Sequence, residues 1–220
     1  NIPVLGVDPA VAPAEIARNQ NVPTETVFFG SEASLILRET YGAADLMVAN
    51  NVLAHVPDIN DFLSGFGILL KDTGAVTFEF PHVLNLLEGT QFDTIYHEHY
   101  SYLSLHSVEI CLSKHGLKAF DVEELTTHGG SLRVWACKSS DPRTTGPGLE
   151  VVRERESRFG IATPEAYEGL ADKAATICQN LSSFLDDTKK NNKTVAGYGA
   201  AAKGNTLLNY CKISKEDIGF

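Results

Sequence analysis

The sequence predicts an α/β fold: a mostly parallel sheet that ends in an antiparallel hairpin, followed by the start of a second α/β unit. Three observations carry this reading. Short apolar runs alternate with amphipathic helical stretches over the first hundred residues, and parallel strands need such crossover helices. Two strand-like runs, 117–125 and 131–138, are joined through His128, Gly129 and Gly130, a hairpin signature. A glycine-rich turn then follows a third strand-like run near residue 195 and leads into a helix.

The elements follow in order. The apolar run 2–7 closes on Asp8 as a strand and is followed by a helix over about 13–20. A possible strand at 27–29, a helix over 31–41 and a buried strand at 45–49 form the second cycle. Asp58 caps a helix carrying Phe62, Phe66 and Leu69 or Leu70 on one side, and another buried strand, 75–80, stops at Pro81. Helices on both faces of the sheet are expected, with ligands at the carboxyl ends of the strands. A helix over about 104–115 precedes the hairpin. The segment 139–148, rich in Pro, Gly, Ser and Thr, marks a domain boundary. This divides the chain into 1–140 and 141–220, the second part holding a long helix over 164–190 and a strand at 193–196.

Composition limits the functions available. The 220 residues suffice for one complete domain and part of another, and 43% apolar side chains can fill a core. A formal charge of −10 supplies no basic stripe, so nucleic acid and anionic membrane surfaces are not expected partners. No apolar run approaches the ~20 residues of a membrane span, and a cytoplasmic enzyme fits. Cys111, Cys137, Cys178 and Cys211 are scattered singly, which reads as free buried thiols rather than a metal set.

The densest chemistry lies in Tyr96-His97-Glu98-His99-Tyr100-Ser101-Tyr102, which follows the last parallel strand. It reads either as a solvated loop pinned by aromatics or as a general-base site in which a carboxylate orients His97 or His99. A metal site there would need further ligands. Asn50, Asn51 and His55 follow the strand ending at Ala49, where amides either line a ligand or merely turn the chain. Asp8 suits a ribose diol or a helix cap equally. Gly197, Gly199 and Gly204 with Lys203 form a turn whose free N–H groups and single cation favour a phosphate, although the spacing matches neither a dinucleotide fingerprint nor a P-loop.

Five motifs in this order, VANNVLAHV (48–56), FEFPH (78–82), YHEHYSY (96–102), HGGSLRV (128–134) and GYGAAAKGN (197–205), resemble those of the sugar C-methyltransferases. The resemblance covers essentially the whole chain. It implies a Rossmann-like class I methyltransferase sheet at 1–140 and a nucleotide-sugar-binding α/β domain beginning within 141–220. It implies a chain that starts at that sheet's second strand and ends inside the C-terminal domain. The family's zinc-binding module and cofactor glycine loop would then lie outside it, and the cut surfaces could promote oligomers. The implied reaction is methyl transfer from S-adenosylmethionine to carbon 3 of a nucleoside-diphosphate 4-keto deoxysugar through an enolate, with no metal. His99 is implied as the base, and Tyr96 and Glu98 as its support. Asp8, Asn50, Asn51 and His55 would meet the cofactor. Gly197, Tyr198, Gly199, Lys203 and Asn205 would face the nucleotide sugar, with Phe80, His82 and Ser131 as further pocket residues. Two other readings stay open: a nicotinamide-dependent oxidoreductase built on the glycine turn, and a non-catalytic nucleotide-sugar-binding module.

Overall fold

The computed structural model describes residues 2–199 and 202–219. Its first strand, β1 (Gly6–Val7), leads into α1 (Val11–Asn19) and pairs in parallel with β2 (Thr24–Glu25). After α2 (Ser31–Tyr41) come β3 (Ala44–Asn50), α3 (Ile59–Leu69), β4 (Leu70–Pro81) and the short α4 (Val83–Glu88). Then follow α5 (Leu105–Lys114), β5 (Leu117–Leu125) and β6 (Ser131–Lys138). The main sheet has the order β3-β4-β6-β5, parallel between β3 and β4 and antiparallel on either side of β6. The expected architecture, a parallel sheet closed by an antiparallel hairpin, is therefore present.

Strand alternation sorts the sheet's faces. Val76, Phe78 and Phe80 of β4 register with Ala136, Val134 and Leu132 of β6, and all six are fully buried. Against this face lie Leu63 and Phe66 of α3, Val108 and Leu112 of α5, and Leu149 and Val152 of α6 (Pro147–Phe159). Full burial of each such side chain contributes about 1.5–3 kcal/mol. The opposite face departs from expectation: Leu46 and Val48 of β3 remain 56% and 61% exposed, so no helix among the described residues covers that part of the sheet.

Other local readings change as well. The strand expected at 27–29 sits earlier, at Thr24–Glu25, because Phe29 turns inward to pack on Phe62 and Phe66 at 5.5 and 4.8 Å between ring centroids. Asp58 does cap α3, its Oδ1 accepting from the amides of Asn60 and Asp61. The boundary segment is tied down, with the Gly146 amide donating to the Phe120 carbonyl at 2.6 Å and Arg143 lying 4.8 Å over the Phe120 ring. Beyond α6, the long helix expected from Pro164 begins at Leu170: Gly169 takes a left-handed φ of 75° and separates a 3₁₀ turn (Pro164–Tyr167) from α7 (Leu170–Lys190). The strand expected at 193–196 is a single bridge between Ala196 and Gly219, with α8 (Ala202–Tyr210) between them.

The reading of four free thiols is corrected. Cys178 of α7 and Cys211, just after α8, form a disulfide with Cα atoms 5.0 Å apart, while half-buried Cys111 and buried Cys137 are free. Single spacing in sequence gave no sign of a pair that the fold brings together. No helix among the described residues is long and apolar enough to cross a membrane.

Candidate active site

The chain between α4 and α5 has little regular structure, and hydrogen bonds to neighbouring elements hold it. The Tyr100 and Ser101 amides both donate to the Ala54 carbonyl, in the turn that follows β3. His82, at the end of β4, bridges Leu103. These ties draw the YHEHYSY segment over the carboxyl ends of β3 and β4, where this class of sheet places its chemistry.

His99 stands at the centre. Its Nδ1 lies 2.8 Å from the Thr94 carbonyl, and because a carbonyl oxygen can only accept, Nδ1 carries the proton. In the neutral ring Nε2 is then left with its lone pair. Around the ring lie Tyr96 at 4.4 Å, His55 at 4.7 Å and Tyr102 at 6.0 Å between centroids. Burial lowers the His99 pKa, and the His55 and Lys203 charges add to that, against the Thr94 hydrogen bond and the Glu98 charge. The imidazole is thus neutral and basic at neutral pH. Burial raises the pKa of Tyr96, with a further contribution from Glu98, and burial likewise raises that of Tyr102. Both phenols therefore keep their protons and can donate.

The carboxylate expected to orient the imidazole does not do so. Glu98 is exposed, and its contribution is its backbone carbonyl, which accepts from His55 Nδ1 at 2.9 Å. The Thr94 carbonyl orients His99 instead. His97 is exposed, and no three His, Cys, Asp or Glu side chains converge as a metal set among the described residues.

Behind His99 lies a buried pair. His82 and Glu156 are 1% and 2% exposed, and His82 Nε2 sits 2.7 Å from Glu156 Oε1. The same carboxylate accepts from the amides of Leu105 and His106 at the start of α5, at 2.6 and 2.9 Å. Burial works to raise the Glu156 pKa, but the His82 hydrogen bond and the two amides outweigh it and leave it lowered. Being ionised, the carboxylate makes His82 Nε2 the donor. His82, Thr94, His99 and Tyr102 line a cavity of about 10 Å³, room for roughly one water-sized group.

The other expected residues are dispersed. Phe80 is fully buried in the core and cannot contact a substrate; Ser131 is fully buried, its hydroxyl donating to the Thr127 carbonyl. Alternation along a buried strand set both positions, which a motif alone does not reveal. Asp8 does not cap α1, whose N-cap is Ala10 with no side-chain cap; its Oδ1 accepts from the Ala10 amide at 2.8 Å in the turn that precedes the helix. Asn50 ends β3 exposed, and Asn51 turns the chain at a φ of 55°, its amide donating to the Glu79 carbonyl. His55 joins the His99 cluster rather than the asparagines.

Gly197, Tyr198 and Gly199 are exposed; Ala200 and Ala201 of the same loop lie outside the described residues. Lys203 turns back to donate to the His128 carbonyl at 3.3 Å, close enough for its charge to act on His99. Asn205 accepts from the side chain of Asn209. Tyr102 belongs to the segment singled out from the sequence, whereas Thr94 and Glu156 enter the site without having been named there. Of those two, only Glu156 left a sign there: with Leu149 and Val152 it follows the i, i+3, i+7 spacing of a buried stripe.

Comparison with known proteins gives two family matches. Residues 1–122 match the methyltransferase domain family and residues 126–220 the C-methyltransferase C-terminal domain. The C-methyltransferase NovU of Streptomyces niveus is 35% identical over 99% of this chain, which spans 52% of that protein's length. Among solved structures, a methyltransferase from Anabaena variabilis aligns with a TM-score of 0.49 at 12% identity, over 61% of this chain and 68% of its own. A possible histamine N-methyltransferase from Thermotoga maritima aligns with a TM-score of 0.47 at 16% identity, over 61% and 72%.

Proposed function

The chain belongs to the methyltransferase domain family, and from that premise we propose that it moves a methyl group from S-adenosylmethionine to carbon 3 of a nucleoside-diphosphate 4-keto deoxysugar. The observation that carries this reading is the neutral His99, whose Nε2 lone pair is left free by the Thr94 carbonyl. A carbon beside a ketone loses a proton to such a base once the developing enolate oxygen is stabilised, and the enolate carbon is the nucleophile. Tyr96, protonated and packed on His99, supplies a donor for that oxygen. Tyr102 is a second phenol of the same kind.

The residues present fit the methyl donor. Asp8, half-buried just after β1, uses Oδ1 for the Ala10 amide and keeps a second carboxylate oxygen to accept from a ribose hydroxyl. Asn50 and Asn51 offer amides at the end of β3, the outer strand of the main sheet. When bound, the cofactor supplies an electrophilic methyl on sulfur. His55 holds one side of the base, and Lys203 provides the local cation that a diphosphate needs on a chain of net charge −10. Membership of the methyltransferases removes the ground for a nicotinamide-dependent oxidoreductase.

The test uses the intact protein, methyl-labelled cofactor and a dTDP-linked 4-keto-6-deoxyhexose. Label on carbon 3 of the sugar is the expected result. In deuterated water without a methyl donor, the same carbon exchanges its proton at a rate that depends on His99. Transfer to an oxygen or nitrogen, or no exchange at carbon 3, overturns the reading.

A further inference from the structure

Buried polar atoms nearly always find a hydrogen-bond partner, so an orphaned one calls for a reason. Three buried side-chain atoms lack a partner among the described residues: Ser34 Oγ, His82 Nδ1 and Thr94 Oγ1. Two of the three belong to residues that line the same small cavity beside His99. Glu156 explains why His82 presents an acceptor there. Its carboxylate accepts hydrogen bonds from His82 Nε2 and from two α5 amides, so that in the neutral form of the ring Nδ1 is the nitrogen with a bare lone pair. Thr94 is already tied to the base through its carbonyl, and its hydroxyl can both donate and accept.

We infer that His82 and Thr94 form a subsite beside His99 that receives a single hydroxyl group, with His82 Nδ1 accepting from it and Thr94 Oγ1 pairing with its oxygen. The cavity admits one such group and little more. Two sources share this chemistry, an ordered water and a hydroxyl of the substrate sugar; only the second rests on the proposed function. In either case Glu156 is a positioning residue: it fixes which nitrogen of His82 faces the cavity.

The ¹⁵N resonances of the His82 ring in the intact protein read the subsite directly, with the dTDP-linked 4-keto-6-deoxyhexose as probe. A pyridine-type Nδ1 already shifted upfield by a hydrogen bond in the free protein identifies water. A shift that appears only on adding the sugar identifies the substrate hydroxyl. A pyrrole-type Nδ1, or a pyridine-type one at its unbonded position in both states, overturns the subsite. Thr94→Val, which keeps the carbonyl that holds His99, must move the shifted resonance. With the sugar as source it also lowers sugar affinity about tenfold, and Thr94→Ser restores both. Failure of the resonance to respond to Thr94→Val overturns the pairing. A protein that binds no sugar but shows the free-state shift keeps the subsite while the proposed substrate falls.

Discussion

The imidazoles of His55 and His99 stand 4.7 Å apart, each with Nδ1 turned to a backbone carbonyl, Glu98 for the first and Thr94 for the second. Protonating His99 would place its charge in a half-buried site beside another imidazole, and its pKa is lowered accordingly. If His99 is the base, activity falls as the pH drops through that lowered pKa. The acidic limb of kcat/KM therefore lies below the ordinary histidine value of about 6.5. Replacing His55 by Phe removes a neighbour that lowers the pKa, so the limb moves to higher pH. A pH–rate profile of both proteins checks the position and the direction.

His99→Ala removes proton abstraction but none of the residues assigned to the cofactor. Methyl transfer and deuterium exchange at carbon 3 are expected to fall by about 10²–10⁴. Calorimetric affinity for S-adenosylhomocysteine should stay within a few-fold. Retained exchange would reject the base.

Glu156→Gln leaves one buried amide facing an N–H group rather than an acceptor. Breaking a buried charged set of this kind costs about 3 kcal/mol, read as a lower urea midpoint at pH 7. The sign of the pH dependence follows from the lowered folded pKa of Glu156. Its stabilising contribution is complete above the unfolded carboxylate value of about 4.3 and is lost as the pH falls through the folded value. The variant's unfolding curve should therefore lack that acid-dependent component.

Lys203→Ala should weaken binding of the dTDP-linked sugar by about 1.5–3 kcal/mol, the range for a charged hydrogen bond. Isothermal titration measures it; an unchanged dissociation constant removes Lys203 from the diphosphate site.

Thiol titration of the denatured, unreduced protein should find Cys111 and Cys137 only. After reduction Cys178 and Cys211 should also react. Four reactive thiols before reduction would exclude the α7 link.

How far the sequence could be read depended on where the controlling contacts lie along the chain. Val76, Phe78 and Phe80 alternate within one strand, and Asp58 caps its own helix, so period and local chemistry exposed both. His99 stood out because several titratable side chains crowd its segment. The Thr94 carbonyl that orients it is a backbone group, which leaves no trace in residue identity. Glu156 lies 74 residues from His82 and sits in a charged run that resembles a solvated face. The Cys178–Cys211 pair needs the turn after α8 to bring its ends together, and periodicity does not report that.

The position of α6 has a consequence for the evolution of such chains. It lies within the stretch matched to the C-methyltransferase C-terminal domain, yet its Leu149 and Val152 fill the core of the preceding sheet and its Glu156 anchors α5. A recombination that exchanged everything after residue 126 would tear this peg from its socket unless the donor helix carried a matching acid. The seam between the two family matches is thus not a boundary in the packing, and hybrids that respect the fold must cross over beyond Phe159.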